Sequence, residues 1–247
     1  MSETVIREVT KDVWTFSKPF VLRGVMPIGI PVGGRSTAIK LANGDLWVVV
    51  STPLDTETRA KIDELGGQVK YIVGINAVHN LYLSEFKKAF PEAKLIGVSG
   101  HLSKLHLKEL NFDGVYGKDP ADTKYGFEEE IKACHFSGHK NHDTAFLHVA
   151  SGTLIEADLI FNFPCNEQFS KSKQSGRIPI ITSFMTRHSL FHRKFVWGAS
   201  LDKEAMKRDV TTVSGWEFDR IIPCHGDVIE NGGKSVWAEA FKQIISA

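Results

Sequence analysis

The sequence predicts an α/β protein built as one domain. Apolar runs of strand length alternate with amphipathic stretches of helix length. Gly, Asn and Pro signals separate them, and several of the runs end in a His or an Asp. The chain has 247 residues, and α/β folds of this length commonly form one unit. A chain of this size buries on the order of 70–75% of its unfolded surface, so it needs no disulfide or structural metal to fold.

Residues 13–16 and 36–41 read as strands. Asn43-Gly44 is a hairpin turn signal, and residues 46–50 form a buried strand after it. Residues 56–65 read as a helix stopped by Gly66-Gly67. Residues 69–75 are the next buried strand, 81–90 a helix ending at Pro91, and 94–98 a further strand. Residues 145–149 and 153–155 flank Ser151-Gly152 as a hairpin would. Residues 203–213 read as a helix, 220–224 as a short strand running into His225-Gly226-Asp227, and 234–245 as an amphipathic closing helix.

Lys and Arg number 30 against 29 Asp and Glu, a net charge of +1 that argues against a dedicated nucleic-acid binder. The three cysteines, Cys134, Cys165 and Cys224, form no C-x-x-C pair, which argues against a thiolate zinc site. Their sparse, odd count fits a reducing compartment. The first residues carry no secretory apolar region, and no apolar run reaches membrane-spanning length. The expected location is therefore the cytoplasm.

Open α/β sheets place ligands beyond the carboxyl ends of their strands. Three candidates sit there: His79 in GINAVHNLYL, Asp158 in GTLIEADLIFN, and His225 in IIPCHGD. A fourth, His139 in FSGHKNHDTAFLHV, lies in a Gly-marked loop before a strand. Imidazole and carboxylate are the usual ligands of zinc, iron or manganese at hydrolytic sites.

These residues carry a resemblance to the metallo-β-lactamase superfamily. Gly138-His139, strand 144–149, Ser151-Gly152 and then Asp158, 19 residues after His139, are similar in order and spacing to that superfamily. Cys224-His225-Gly226 resembles its terminal histidine motif, and residues 44–51 its early strand pair. Helix 81–90 and Pro91 to Lys94 resemble the segment after its main metal motif, so the likeness runs from Val13 to the C-terminus. It implies an αββα sandwich with metal between the sheet edges. The superfamily's His-x-His-x-Asp-His is reduced here to Asn76-Ala77-Val78-His79-Asn80-Leu81, a degenerate form with one histidine.

The resemblance implies one metal, zinc first with iron or manganese open, held by His79, Asp158, His225 and His139. Hydroxide on the metal would attack an ester, lactone, thioester or phosphodiester, with Asp158 also orienting the water. Loss of the hallmark motif leaves open a non-catalytic binding module on the same fold. A mononuclear iron oxygenase is a third reading.

Other signals are weaker. Residues 168–201 contain no acidic residue but six Lys or Arg and five Phe or Trp. They read as an insertion, either packed or closing as a lid over a small anionic or aromatic substrate. His188 and His192, at i and i+4, read as a surface face. His142 reads as a solvent-facing loop residue, and His101, His106, His135 and His148 as structural. Gly29 to Ser36 nearly fits a phosphate-binding loop but has Arg35 for Lys and runs into a strand. Arg35 is left to pair with a carboxylate or to touch an anionic substrate. Gly97 to His101 misses a nucleophile elbow by its last residue.

Overall fold

A computed structural model describes residues 3–22, 29–66, 68–177 and 189–246. Thirteen strands are present among them: β1 (Val5–Thr10), β2 (Val13–Lys18), β3 (Val21–Leu22), β4 (Ile30–Pro31), β5 (Gly34–Lys40), β6 (Leu46–Val49), β7 (Val69–Val73), β8 (Lys94–Val98), β9 (Gly114–Tyr116), β10 (Ile131–His135), β11 (Thr144–His148), β12 (Thr153–Glu156) and β13 (Arg220–Pro223). The helices are α1 (Thr56–Glu64), α2 (Leu83–Ala89), α3 (Asn166–Phe169), α4 (Leu190–Ala199), α5 (Lys203–Ser214), α6 (Gly233–Ala240) and α7 (Lys242–Ser246). One sheet runs β1-β2-β5-β6-β7-β8-β9 and a second runs β10-β11-β12-β13.

Period-two alternation assigns each strand face to a layer. On β6, Trp47 and Val49 point between the sheets, where they meet Phe146, Ile155 and Ile222. Leu46 and Val48 point outward to Ile62 of α1 and to Leu83 and Phe86 of α2. The second sheet does the same: Leu147, Leu154 and Ile221 pack outward against Met206 and Val210 of α5 and Trp237 of α6. The layers are therefore helix, sheet, sheet, helix, as expected.

Local chemistry fixes the element ends. The Asp55 carboxylate caps α1 by accepting from the Thr58 amide at 2.9 Å, and Gly66 closes that region at φ 72°. Asp202 caps α5 through the Ala205 amide at 3.0 Å. Both caps satisfy amides that a helix N-terminus leaves unpaired.

The structure departs from expectation in several elements. The closing helix breaks into α6 and α7, and β1, β3, β4, β9 and β10 add to the predicted strands. β1 is half-exposed and carries Arg7, which pairs with Glu167 and Glu230 at 2.9 and 2.7 Å. Charges on an edge strand mask its sequence signal while protecting the free edge.

Residues 178–188 of the basic aromatic segment, with Phe184, Arg187 and His188, lie outside the described residues. The described remainder is packed on one side: Phe169, Val196 and Ala199 are buried, while Leu190 and Phe191 are exposed. His192 is fully buried rather than on a surface face, and its Nε2 accepts from the Phe161 amide at 3.1 Å. Among the described residues no helix is long and apolar enough to cross a membrane.

Candidate metal centre

Three loops leaving β7, β12 and β13 converge at one edge of the sandwich, and a fourth arrives from the turn before β11. The β7 loop begins with Asn76, which is completely buried. Its Oδ1 accepts from the amides of Val78 at 3.0 Å and His79 at 2.9 Å. Those donors identify Oδ1 as the oxygen, so His79 Nδ1, also 2.9 Å away, must carry a proton and donate to it. Asn76 Nδ2 then donates to both Asp143 and Asp158, each at 2.8 Å.

Asp158 is held from several sides. Asn141 Nδ2 donates to it at 2.8 Å, and its own amide donates to Asp143 at 2.8 Å. Its oxygens lie 3.3 Å from His225 Nε2 and 3.6 Å from His79 Nδ1. Burial opposes its ionisation, but the positive charge of the two histidines in their protonated form, with hydrogen bonds from His225 and Asn141, outweighs that and lowers its pKa below the usual carboxylate range. Asp143 is fully buried, and burial together with the charge of Asp158 pushes its pKa up.

His225 is oriented from the other side of the chain. Its Nδ1 donates to the Gly33 carbonyl at 2.7 Å, with the Val32 carbonyl at 3.2 Å. Phe161 stacks on its ring at 5.5 Å, nearly parallel. With Nδ1 protonated, the neutral ring presents a bare Nε2. That atom lies 3.1 Å from His79 Nε2, which is bare for the same reason. In the neutral rings two lone pairs thus face each other, with an Asp158 oxygen 3.3 Å from His225 Nε2. The arrangement is repulsive unless a cation, proton or metal, sits between them.

The donor set fits a metal. With bonds of about 2.0–2.1 Å to nitrogen, a tetrahedral zinc site separates its nitrogens by roughly 3.3 Å, close to the 3.1 Å between the two rings. Without metal a proton serves in part. Burial lowers the pKa of His225, yet its neighbours Cys224 and Asp158 raise it overall.

The structure brings His79, Asp158 and His225 together. The Sγ of Cys224 joins the two imidazoles, with the three donor atoms within 4.8 Å of one another. No C-x-x-C pairing marks this cysteine, because its partners are histidines, one of them remote in sequence. Asp158 flanks that trio, 3.3 Å from His225 Nε2, and His139 stands outside it. It is buried, its Nδ1 accepts from the Asn141 amide at 3.4 Å, and it bridges to Ser200. Burial takes its pKa down to about 4, although the Asp158 charge pulls it up, so the ring is neutral. Arg35 touches no open surface: its side chain is wholly buried and lies 3.7 Å from Glu167. His101 is structural as expected, its Nε2 donating to the Asn76 carbonyl at 2.8 Å.

Residues 10–171 match the family described as a domain of unknown function (DUF4336). The chain belongs to the DUF4336 family. No curated protein matches this DUF4336 chain. Solved structures do. A metallo-β-lactamase from Hirschia baltica superposes with a TM-score of 0.62 at 10% identity, covering 98% of each chain. The mono-zinc form of the metallo-β-lactamase FIM-1 from Pseudomonas aeruginosa gives 0.60 at 14% identity, over 98% of this chain and 97% of that one. The metal-soaked Flv1 flavodiiron core from Synechocystis sp. PCC6803 gives 0.69 at 13% identity, over 99% of this chain and 61% of that one. At such identities the likeness shows the fold: this DUF4336 protein has the metallo-β-lactamase fold.

Proposed function

We infer that this protein is a hydrolase dependent on one metal ion, with zinc the first candidate and iron or manganese open. The observation that carries the reading is the 3.1 Å approach of the His79 and His225 Nε2 atoms, each ring turning its Nδ1 to an oxygen acceptor, with Asp158 3.3 Å from His225 Nε2. His79, Asp158 and His225 would hold the ion. His139 is the outer member of the proposed set, and Cys224 is the nearer reserve donor.

When bound, such an ion acts as a Lewis acid toward a carbonyl or phosphoryl oxygen and makes water nucleophilic near neutral pH. The chain's own residues do the rest. Asn76 and the Gly33 carbonyl accept the two Nδ1 protons, so each neutral ring would turn its Nε2 toward the ion. Asp158 is pinned by the amides of Asn76 and Asn141 and stays ionised, so it can accept a hydrogen bond from a water and orient it. Small esters, lactones, thioesters and phosphodiesters are the substrates to test, with anionic or aromatic ones first because of the basic aromatic segment at 168–201. The mono-zinc neighbour supports trying zinc first, and the flavodiiron neighbour supports iron.

The test is metal content by mass spectrometry on protein purified without chelator, alongside Asp158→Ala and His225→Ala. About one ion per chain, lost in both variants, is the expected result. A wild type that stays metal-free after zinc and iron are added back overturns the reading and leaves a binding module on the same fold. Iron with oxygen uptake, and no hydrolysis with zinc, turns it to an oxygenase.

A further inference from the structure

The loop that carries His225 is held by two buried side chains that hydrogen-bond its backbone and neither imidazole. Arg35, on β5, sends Nη1 to the carbonyls of Pro223 and Gly226, each at 2.7 Å. Its Nε donates to Ser17 Oγ at 3.0 Å. Gln168, on α3, donates from Nε2 to the Cys224 carbonyl at 2.7 Å and accepts from the Gly226 amide at 3.0 Å through Oε1. Four backbone groups flanking His225 are therefore fixed by one guanidinium and one amide.

The same contacts explain a glycine. Gly33 sits at φ +63°, and a Cβ there would lie 2.0 Å from Gln168 Oε1. Only glycine lets Gln168 pack in while the Gly33 carbonyl reaches His225 Nδ1. The loop, its imidazole and the residue 33–35 segment thus form one interlocked unit.

Stability alone does not account for this arrangement. Burying a guanidinium carries a large desolvation cost, and apolar replacements of buried ion pairs are often neutral or stabilising. The carboxylate opposite, Glu167, is 3.7 Å away, too far for a good paired hydrogen bond. What Arg35 does with close geometry is hold the two carbonyls that bracket Cys224-His225.

We propose that Arg35 and Gln168 are positioning residues that preorganise the His225 loop for its ligand and couple that loop to α3. As a statement about metal affinity this rests on the metal reading above; as a statement about the loop it does not. Partners one step removed from a metal ligand typically change metal affinity by about 10- to 100-fold when lost.

The test uses the full chain with Gln168→Met, Arg35→Lys and, as a control that loosens the core far from the loop, Ile62→Val. Cobalt and zinc affinities are read by competition with a chromophoric chelator, well below each variant's Tm. Amide hydrogen exchange is read on metal-free protein at Cys224 and Asp227, whose amides bond to the Glu156 and Asn162 carbonyls rather than to either clamp residue. Gln168→Met should weaken both metals by about 10- to 100-fold. Arg35→Lys, with one donor site in place of a fork, should weaken them less. Both should speed exchange at Cys224 and Asp227 more than along β7, and Ile62→Val should do neither. If the wild type binds no metal but exchange rises selectively in the loop, the metal reading falls and the clamp stands. Unchanged affinity with unchanged loop exchange, or exchange that rises equally throughout the chain, overturns the clamp.

Discussion

His79 and His225, 146 residues apart in sequence, face each other through Nε2 atoms separated by 3.1 Å, and each ring already donates its Nδ1 proton to a fixed oxygen. This relationship makes the site chemically specific. Neither ring can change tautomer without losing a buried hydrogen bond, so both Nε2 atoms stay aimed at one point.

Asn76 is the residue on which that aim depends most. Replacing it with Ala removes the acceptor of His79 Nδ1 and the donor shared by Asp143 and Asp158. The expected loss is about 1–3 kcal/mol of stability for the orphaned buried groups. Metal affinity should fall by about 10- to 100-fold as well. Urea unfolding and chelator competition measure the two separately. An Asn76→Ala variant with wild-type affinity would contradict this account of how His79 is oriented.

Gly226 offers a steric test of the opposite wall. Its φ is +96°, and an added Cβ would meet the Asn162 carbonyl oxygen at 2.2 Å. Gly226→Ala must therefore shift the His225 loop. We expect a loss of about 1–3 kcal/mol from the strained backbone and loss of metal binding out of proportion to it. Retained metal with only lowered Tm would show that the loop absorbs the change elsewhere.

The pH dependence of stability is set in part by buried neutral histidines. Burial takes His101 and His192 down to about 4, from an ordinary value of 6.5. Below pH 6.5 the unfolded chain binds protons that the folded chain refuses. Their contribution is therefore present above pH 6.5 and is lost as pH falls toward 4. Asp143, raised by burial, works in the opposite direction as pH rises above the ordinary carboxylate range. Urea midpoints of metal-free protein between about pH 7.5 and about 4.5 should fall on acidification, and His192→Gln should flatten the slope. An unchanged slope in that variant would mean that His192 takes up its proton at the same pH in the folded and unfolded chain.

Between the sheets, Trp47 touches Phe146 edge-on at 5.0 Å and Phe127 at 6.0 Å, and its indole N–H has no partner. Trp47→Ala should cost about 3–5 kcal/mol through the cavity it leaves. Trp47→Phe keeps an aromatic ring and removes the unsatisfied donor, so its cost should be well below that. Equal costs in chemical denaturation would mean that the indole's own contact geometry, not the retained ring volume, holds the sheets together.

The sequence by itself determined the alternation of strands and helices. Leu46 to Val49, the run through Ile72 and the pair around Ser151-Gly152 each announce a strand, because alternation and turn chemistry are local and survive without partners. It also marked His79, Asp158 and His225, since a polar ligand type after an apolar strand is visible in one dimension. Only the tertiary structure decided which donors meet. Cys224 joins the histidines and His139 stands outside the trio because distances between loop side chains are set by sheet register, which no local window encodes. The same holds for Arg35. It reads as a cation in a glycine-rich loop, yet its guanidinium crosses 188 residues of sequence to Pro223, where burial and two carbonyls give it a different role. Backbone propensity acts between neighbours, whereas a site is made by contacts between segments that meet only when the sandwich closes.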